Sequence, residues 1–376
     1  MPRTIGVMGR VLDQRDGLGL YCINLLRNMV ALDPGSHYVI FLATPRQVHL
    51  FQHFTNVETH VLPSRSKLWW DQIIVPRAAR RFKVDLIFNP KFSIPFFTRR
   101  PCAFVLQDSD WYVNPQNYPW WDNIYIRIML PLYCRKAKRL LVISQSTLAD
   151  LARYGVIDKS KAKVTYAAVS QNFSSIRDET ALSEFRSTYK LPASFILSAA
   201  RAYHTGHTNA PPYPGGNIER LLHAYRLYRR RGGTLPLVVA GHRIEEYLRT
   251  RGFGDPQLAE IHFVGFVPNE KMHLAYQSAE CFVLTKLCES FGLPILEALA
   301  SGCPAIVPNT CASPEVAGGA ARLIDPYDEE DIAQALLEVS GSSQRRREMR
   351  ELGLVRARAF NWPETARGTL AALSEM

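Results

Sequence analysis

The chain has 376 residues, 47% of them hydrophobic and 21% charged, with a formal net charge of +11. That length predicts two or three domains, and that balance excludes disordered and fibrous classes. No apolar run approaches a membrane helix, and seven cysteines without C-x-x-C or finger spacing predict reduced thiols in a cytoplasmic protein.

The N-terminus has no long apolar h-region, which argues against a signal peptide. The charge is uneven. Residues 1–190 hold 26 Lys and Arg against 14 Asp and Glu, and the remainder holds 19 against 20. Such asymmetry points to an anionic partner surface, membrane or nucleic acid, or to a solvated basic face with no partner.

In chain order, Thr4 to Met8 reads as a first strand. The loop Asp16-Gly-Leu-Gly19 follows, then a helical run from Leu20 to Val30. Tyr38 to Leu42, Thr59 to Leu62 and Val84 to Phe88 read as strands, with a helix from Leu68 to Arg81 between the last two. Ala103 to Leu106 is a strand with Gln107 and Asp108 at its carboxyl end, where ligands bind in open α/β sheets. Trp111 to Trp121 is aromatic and Pro-rich, suited to a sugar, a membrane interface or a core cap. A helix from Ile124 to Leu132 runs into the basic cluster Arg135 to Arg139. Leu140 to Ser144 and Val164 to Val169 complete the strands of this half.

Residues 170 to 192 read as a link. A second strand–helix alternation follows, with strands predicted at Phe195 to Ser198, Pro236 to Ala240 and Ile261 to Val264. Its centre is Glu289-Ser-Phe-Gly-Leu-Pro-Ile-Leu-Glu297, preceded by a short buried strand, Cys281 to Thr285. Pro294 suits the start of a helix, and Gly302 with Pro304 closes it. Glu289 lies in the loop and Glu297 about one turn into the helix, so both can face one crevice. The amides of Phe291, Gly292 and Leu293 lie at the helix N-terminus, where an anion is favoured. Backbone donors for phosphate with two carboxylates for hydroxyls suit a sugar joined to a nucleoside diphosphate.

This stretch resembles the E-x7-E motif of retaining glycosyltransferases of family four, which have the GT-B fold. The flanks Phe263 to Pro268 and Ala298 to Val307 are similar to the family too. The resemblance implies two Rossmann-like, doubly wound domains facing a cleft. Residues 1–175 would form the acceptor domain, with 361–376 packing back on it as a crossing helix. Residues 176–360 would bind the nucleotide sugar.

It further implies that Gly17 and Gly19 lie against the donor phosphates, that Arg201 binds the diphosphate, and that Phe266 and Val267 border the nucleotide base. Ser290 belongs to the same donor-binding motif. Glu297 would accept from ribose hydroxyls and Glu289 from a hydroxyl of the donor sugar. Two positions depart from the family. Gln107 stands where the family has a histidine, and glutamine cannot titrate. Gly216 falls where a lysine is expected, after a long loop carrying His204 and His207. A histidine there, or a nest of the Gly215 and Gly216 amides, would take the lysine's place; otherwise donor binding is weakened.

The resulting expectation is a metal-independent, cofactor-free retaining hexosyltransferase acting on a glycan or lipid-linked acceptor at the cytoplasmic face of a membrane, in cell-surface polysaccharide synthesis. A catalytically silent sugar-nucleotide-binding protein remains open at this point. So does a basic nucleic-acid-binding protein, though no nucleic-acid-binding signature is present. Oligomeric state is not legible.

Overall fold

The computed structural model describes residues 3–14, 17–200 and 214–376. The chain divides into two compact units, Met1–Ala168 with Phe360–Met376, and Val169–Ala359.

The first unit is built on a seven-stranded, all-parallel sheet: β1 (Thr4–Met8), β2 (His37–Leu42), β3 (Val57–Val61), β4 (Leu86–Asn89), β5 (Cys102–Leu106), β6 (Arg139–Val142) and β7 (Ala162–Val164). Its order is β3-β2-β1-β4-β5-β6-β7, with the reversal between β1 and β4. The central strands are continuous apolar runs because helices cover both faces of a parallel sheet. Phe41, Ile87, Phe104 and Leu140 are buried in one core cluster with Trp70 and Tyr133.

The second unit carries a six-stranded parallel sheet: β8 (Ile196–Ala199), β9 (Leu237–Ala240), β10 (Ile261–Gly265), β11 (Cys281–Val283), β12 (Ala305–Pro308) and β13 (Arg322–Ile324). The order is β10-β9-β8-β11-β12-β13, so the reversal lies between β8 and β11. Open parallel sheets place ligands outside the carboxyl ends of strands at such a reversal. Leu221, Tyr225, Val239, Val283 and Leu336 share its core cluster.

The last helix, Trp362–Ser374, belongs to the first unit. Trp362 meets Tyr21 edge-on with ring centroids 5.5 Å apart, and the Thr365 hydroxyl donates to the Tyr166 carbonyl at 2.7 Å.

Several local expectations shift. Gly17 already opens the helix Gly17–Leu32, so the two glycines sit in its first turn rather than in a loop before it. The helix expected from Leu68 contains a π turn at Trp70–Ile74. Pro76 cannot donate to Gln72 and its ring crowds that carbonyl, which loosens the ladder there. The next long helix starts at Trp120, four residues early, where Asn123 donates to the Pro115 and Tyr118 carbonyls and fixes the first turn. β7 ends at Val164. Among the described residues, no helix is long and apolar enough to cross a membrane.

Candidate active site

β11 and β8 are neighbours, and the loop leaving β11 is fastened on several sides. Asn217 donates to the carbonyls of Thr285 and Pro326 at 2.8 and 2.7 Å. The Leu287 amide donates to the Gly215 carbonyl at 3.0 Å, tying the loop to the 3-10 turn Pro214–Gly216. Thr310 donates to the Leu287 carbonyl at 2.8 Å, and the Ala312 amide to that of Glu289 at 3.0 Å. A disulfide, Cys288–Cys311, joins the same two loops covalently. It corrects the expectation of reduced thiols throughout. The fold brings two sulfurs 23 positions apart together at the ends of adjacent strands. The other five cysteines are buried and outside any disulfide.

The loop turns into the helix Leu293–Ala300 through Gly292, at φ +91°. A Cβ there would lie 2.8 Å from Ile295 Cδ1, so this turn needs glycine for both conformation and space. Pro294, in the first turn, has no N–H to lose. The helix's own ladder cannot pair its first amides, which leaves the positive end of its dipole beside the two glutamates.

Glu289 is almost buried, its side chain 13% exposed, and pairs with Lys286 Nζ at 3.1 Å. Glu297 is partly buried, and the Tyr276 hydroxyl donates to it at 3.2 Å. Burial pushes the Glu297 carboxyl up to about 7, the charge of Glu289 adds to the rise, and the hydrogen bond opposes it. The two carboxylates therefore share one electrostatic environment. Phe291 is buried beneath the loop. Ser290, Gly292 and Leu293 complete it.

Phe266 and Val267 leave β10 on the same edge of the sheet. Phe266 is exposed and Val267 buried. Gly216 lies in the 3-10 turn that the Glu289 loop grips through Gly215. Arg201, His204 and His207 lie outside the described residues.

In the first unit, Gly19 is packed so that a Cβ would sit 1.9 Å from the Gln14 carbonyl oxygen. One turn on, Cys22 donates from Sγ to the Pro90 carbonyl at 3.4 Å. Gln107 Nε2 donates to the same carbonyl at 3.1 Å and approaches Cys22 Sγ at 3.7 Å. Gln107, the end of β4 and the helix bearing Gly17 and Gly19 thus meet at one edge. The carbonyl fixes which amide atom faces it. Gln107 Oε1 is buried and has no partner among the described residues. Asp108 accepts from the Asp110 amide at 2.8 Å and the Tyr118 hydroxyl at 3.4 Å. Among the described residues, no three His, Cys, Asp or Glu side chains converge as a metal site would need.

A family profile described as glycosyltransferase family 4 matches residues 15–172, and one described as glycosyl transferases group 1 matches residues 214–354. Together the two matches make the chain a family 4-like glycosyltransferase. Among its relatives is the serotype-specific mannosyltransferase WbdA of Escherichia coli, 29% identical over 238 residues, which are 61% of this chain. The chain spans only 28% of that relative's length. The O-antigen chain mannosyltransferase B of Escherichia coli is 26% identical over 312 residues, 78% of this chain and 75% of that one. HepE of Anabaena, solved with UDP and glucose, superposes with a TM-score of 0.73 at 16% identity, covering 100% of both chains. That likeness shows the GT-B fold.

Three residues of this glycosyltransferase site were not legible from sequence. Lys286 hides between an apolar strand and the motif, and only its pairing with Glu289 gives it meaning. Tyr276 lies on a preceding helix with ordinary amphipathic spacing. Asn217 was readable only as a helix start; its φ of +55° frees its amide to cross to Thr285.

Proposed function

We propose that the chain transfers a hexose, with mannose favoured by the names of its relatives, from a nucleoside-diphosphate donor to a growing cell-surface glycan, with retention at the anomeric carbon. The observation that carries this reading is the placement of Glu289 and Glu297 on either side of a helix N-terminus at the reversal of the second sheet.

In that reading the donor diphosphate lies at the first turn of Leu293–Ala300, with the Arg201 side chain and the Gly216 amide as further donors. Glu297 accepts from ribose hydroxyls. Glu289, steadied by Lys286, accepts from a hydroxyl of the donor sugar and sets the ring. Asp108, held by the Asp110 amide and the Tyr118 hydroxyl, shapes the loop after β5.

The acceptor hydroxyl oxygen forms a bond to the anomeric carbon as the bond from that carbon to the diphosphate oxygen breaks. The departing diphosphate takes the hydroxyl proton, on the face where both groups meet. Fixed amides and cations stabilise the charge that develops on the leaving group. No metal or other cofactor is assigned a role.

A peripheral membrane position is supported by one surface feature. Trp120, Trp121, Ile124, Ile128 and Leu132 are exposed on the helix Trp120–Lys136, at helical spacing, and Arg127, Arg135 and Lys136 lie on the same helix. Such a face suits shallow insertion into an anionic leaflet.

The test is a panel of nucleotide sugars with mannan-type acceptors, read by mass spectrometry of the product and NMR of the new anomeric centre. An added hexose with the donor's anomeric configuration is expected. Glu289→Gln should lower turnover by roughly 10²-fold or more, in the range of lost transition-state hydrogen bonds. Unchanged turnover and unchanged donor binding in both Glu289→Gln and Glu297→Ala would overturn the reading.

A further inference from the structure

At the opposite, amino-terminal edge of the second sheet lies a cavity of about 370 Å³ that the proposed transfer does not use. Five arginines line it: Arg177, Arg186, Arg346, Arg347 and Arg350. They come from three parts of the chain. Arg177 precedes the helix Glu179–Thr188, Arg186 is on it, and the other three share the helix Ser343–Ala357. The floor is formed by Glu280, just before β11, and by the Ser301 to Pro304 segment leading into β12.

The charges do not cancel. Arg346 pairs with Glu280 at 3.0 Å and Arg177 with Glu179 at 2.9 Å. Arg186 donates only to main-chain carbonyls, those of Pro192, at 3.1 Å, and Ala193. Arg186, Arg347 and Arg350 have no carboxylate within salt-bridge distance among the described residues. Guanidinium groups gathered in one concavity repel each other unless an anion offsets them. Arg350 lies across Gly302, where a Cβ would sit 3.2 Å from the guanidinium carbon; glycine leaves that side chain its place.

Two further features favour an anionic occupant. Ser343 lines the cavity at the start of a 15-residue helix, so the positive end of that helix faces it. Ser278 and Ser301 also line it, are 7% and 1% exposed, and their hydroxyls have no partner among the described residues. A buried hydroxyl without a partner is destabilising, and a ligand oxygen or a bridging water would offset that.

We propose that this cavity binds a small phosphorylated molecule of sugar-phosphate size, at a site separate from the one built on Glu289 and Glu297. Guanidinium forks match phosphate oxygens in bidentate geometry, and the volume falls within the range of small-ligand sites. The site has a direct line to the other one. Tyr276 lines the cavity, and its hydroxyl is the donor to Glu297.

The test is calorimetric titration of the full chain with a hexose 6-phosphate, with inorganic phosphate as the minimal probe and phosphatidic-acid vesicles as the lipid arm. Arg347 is exposed, so Arg347→Glu should fold normally, and thermal melting checks this. Arg347→Glu combined with Arg350→Ala should weaken hexose-phosphate binding at least about tenfold, the loss expected from one or two charge-assisted pairs. Arg350→Lys alone should lose less, because the charge remains. Glu289→Gln should leave the affinity unchanged. No hexose-phosphate binding by the wild type overturns the proposal. So does binding that depends on Glu289 or Glu297 but not on the arginines, or arginine-dependent binding seen with vesicles alone.

Discussion

The Tyr276 hydroxyl donates to the Glu297 carboxylate at 3.2 Å, and this bond joins the helix Asn269–Ser278 to the helix that begins at the Glu289 loop. It satisfies a phenol whose burial raises its own pKa well above the ordinary value. It does not cancel the burial of Glu297, whose carboxyl stands at about 7. Two consequences of that balance can be measured.

The first is a stability effect with a defined sign. Between the ordinary glutamate value and about 7, the folded chain holds a proton that the unfolded chain has lost. The contribution of Glu297 is therefore full below the ordinary value and is lost as pH rises through about 7. Glu297→Gln should stabilise the second unit at pH 8, by on the order of 2 kcal/mol, and change little at pH 4.5. Urea unfolding at the two pH values reads this. A Gln variant no more stable at pH 8 than at pH 4.5, relative to wild type, would contradict it.

The second concerns donor binding. An ionised Glu297 accepts from two hydroxyls more strongly than a protonated one. The affinity ratio of wild type to Glu297→Gln for a nucleoside diphosphate should fall as pH drops from 8 to 6. Taking the ratio removes the titration of the phosphate itself. A ratio that stays flat across that range counts against the assigned role.

Gly292→Ala tests the turn. Residues with a Cβ lose about 1–2 kcal/mol in the left-handed region, and the new methyl group meets Ile295 at 2.8 Å. A lower melting temperature with weakened nucleotide binding is expected. Gly265→Ala, also at positive φ but with nothing within 4 Å, should cost only the conformational part.

The disulfide Cys288–Cys311 should be detectable without crystals. In denaturant without reductant, five thiols should titrate, and seven after reduction. Closing a loop of this length stabilises by about 3 kcal/mol in the chain-entropy account. Cys288→Ser with Cys311→Ser should lower the unfolding midpoint of oxidised protein and leave that of reduced protein nearly unchanged.

The exposed stripe on Trp120–Lys136 should govern vesicle binding. Trp121→Glu with Ile128→Glu should abolish co-sedimentation with anionic vesicles at low salt while leaving donor binding intact. Equal co-sedimentation of variant and wild type would remove the membrane reading.

Much of the fold was legible because parallel strands buried on both faces are continuous apolar runs, and helices between them keep a 3.6-residue period. β1 is read from Thr4 to Met8 in the sequence and lies there in the structure. The errors cluster where local signals compete. Gly17 and Gly19 look like a loop because glycine favours turns, yet they form the first turn of the helix Gly17–Leu32, where Gly19 lies too close to the Gln14 carbonyl to carry a Cβ. The start at Trp120 was obscured by the prolines before it.

What the sequence determined by itself was the pair of strand–helix alternations, the Glu289 to Glu297 spacing on a strand, turn and helix, and the family resemblance. Those are properties of neighbouring residues, set by periodicity and turn chemistry. The tertiary structure alone decided that Cys288 meets Cys311, that Tyr276 faces Glu297, and that arginines from 177 to 350 line one cavity. Each joins positions distant in the chain, and only the order of strands in the sheet determines which distant positions become neighbours.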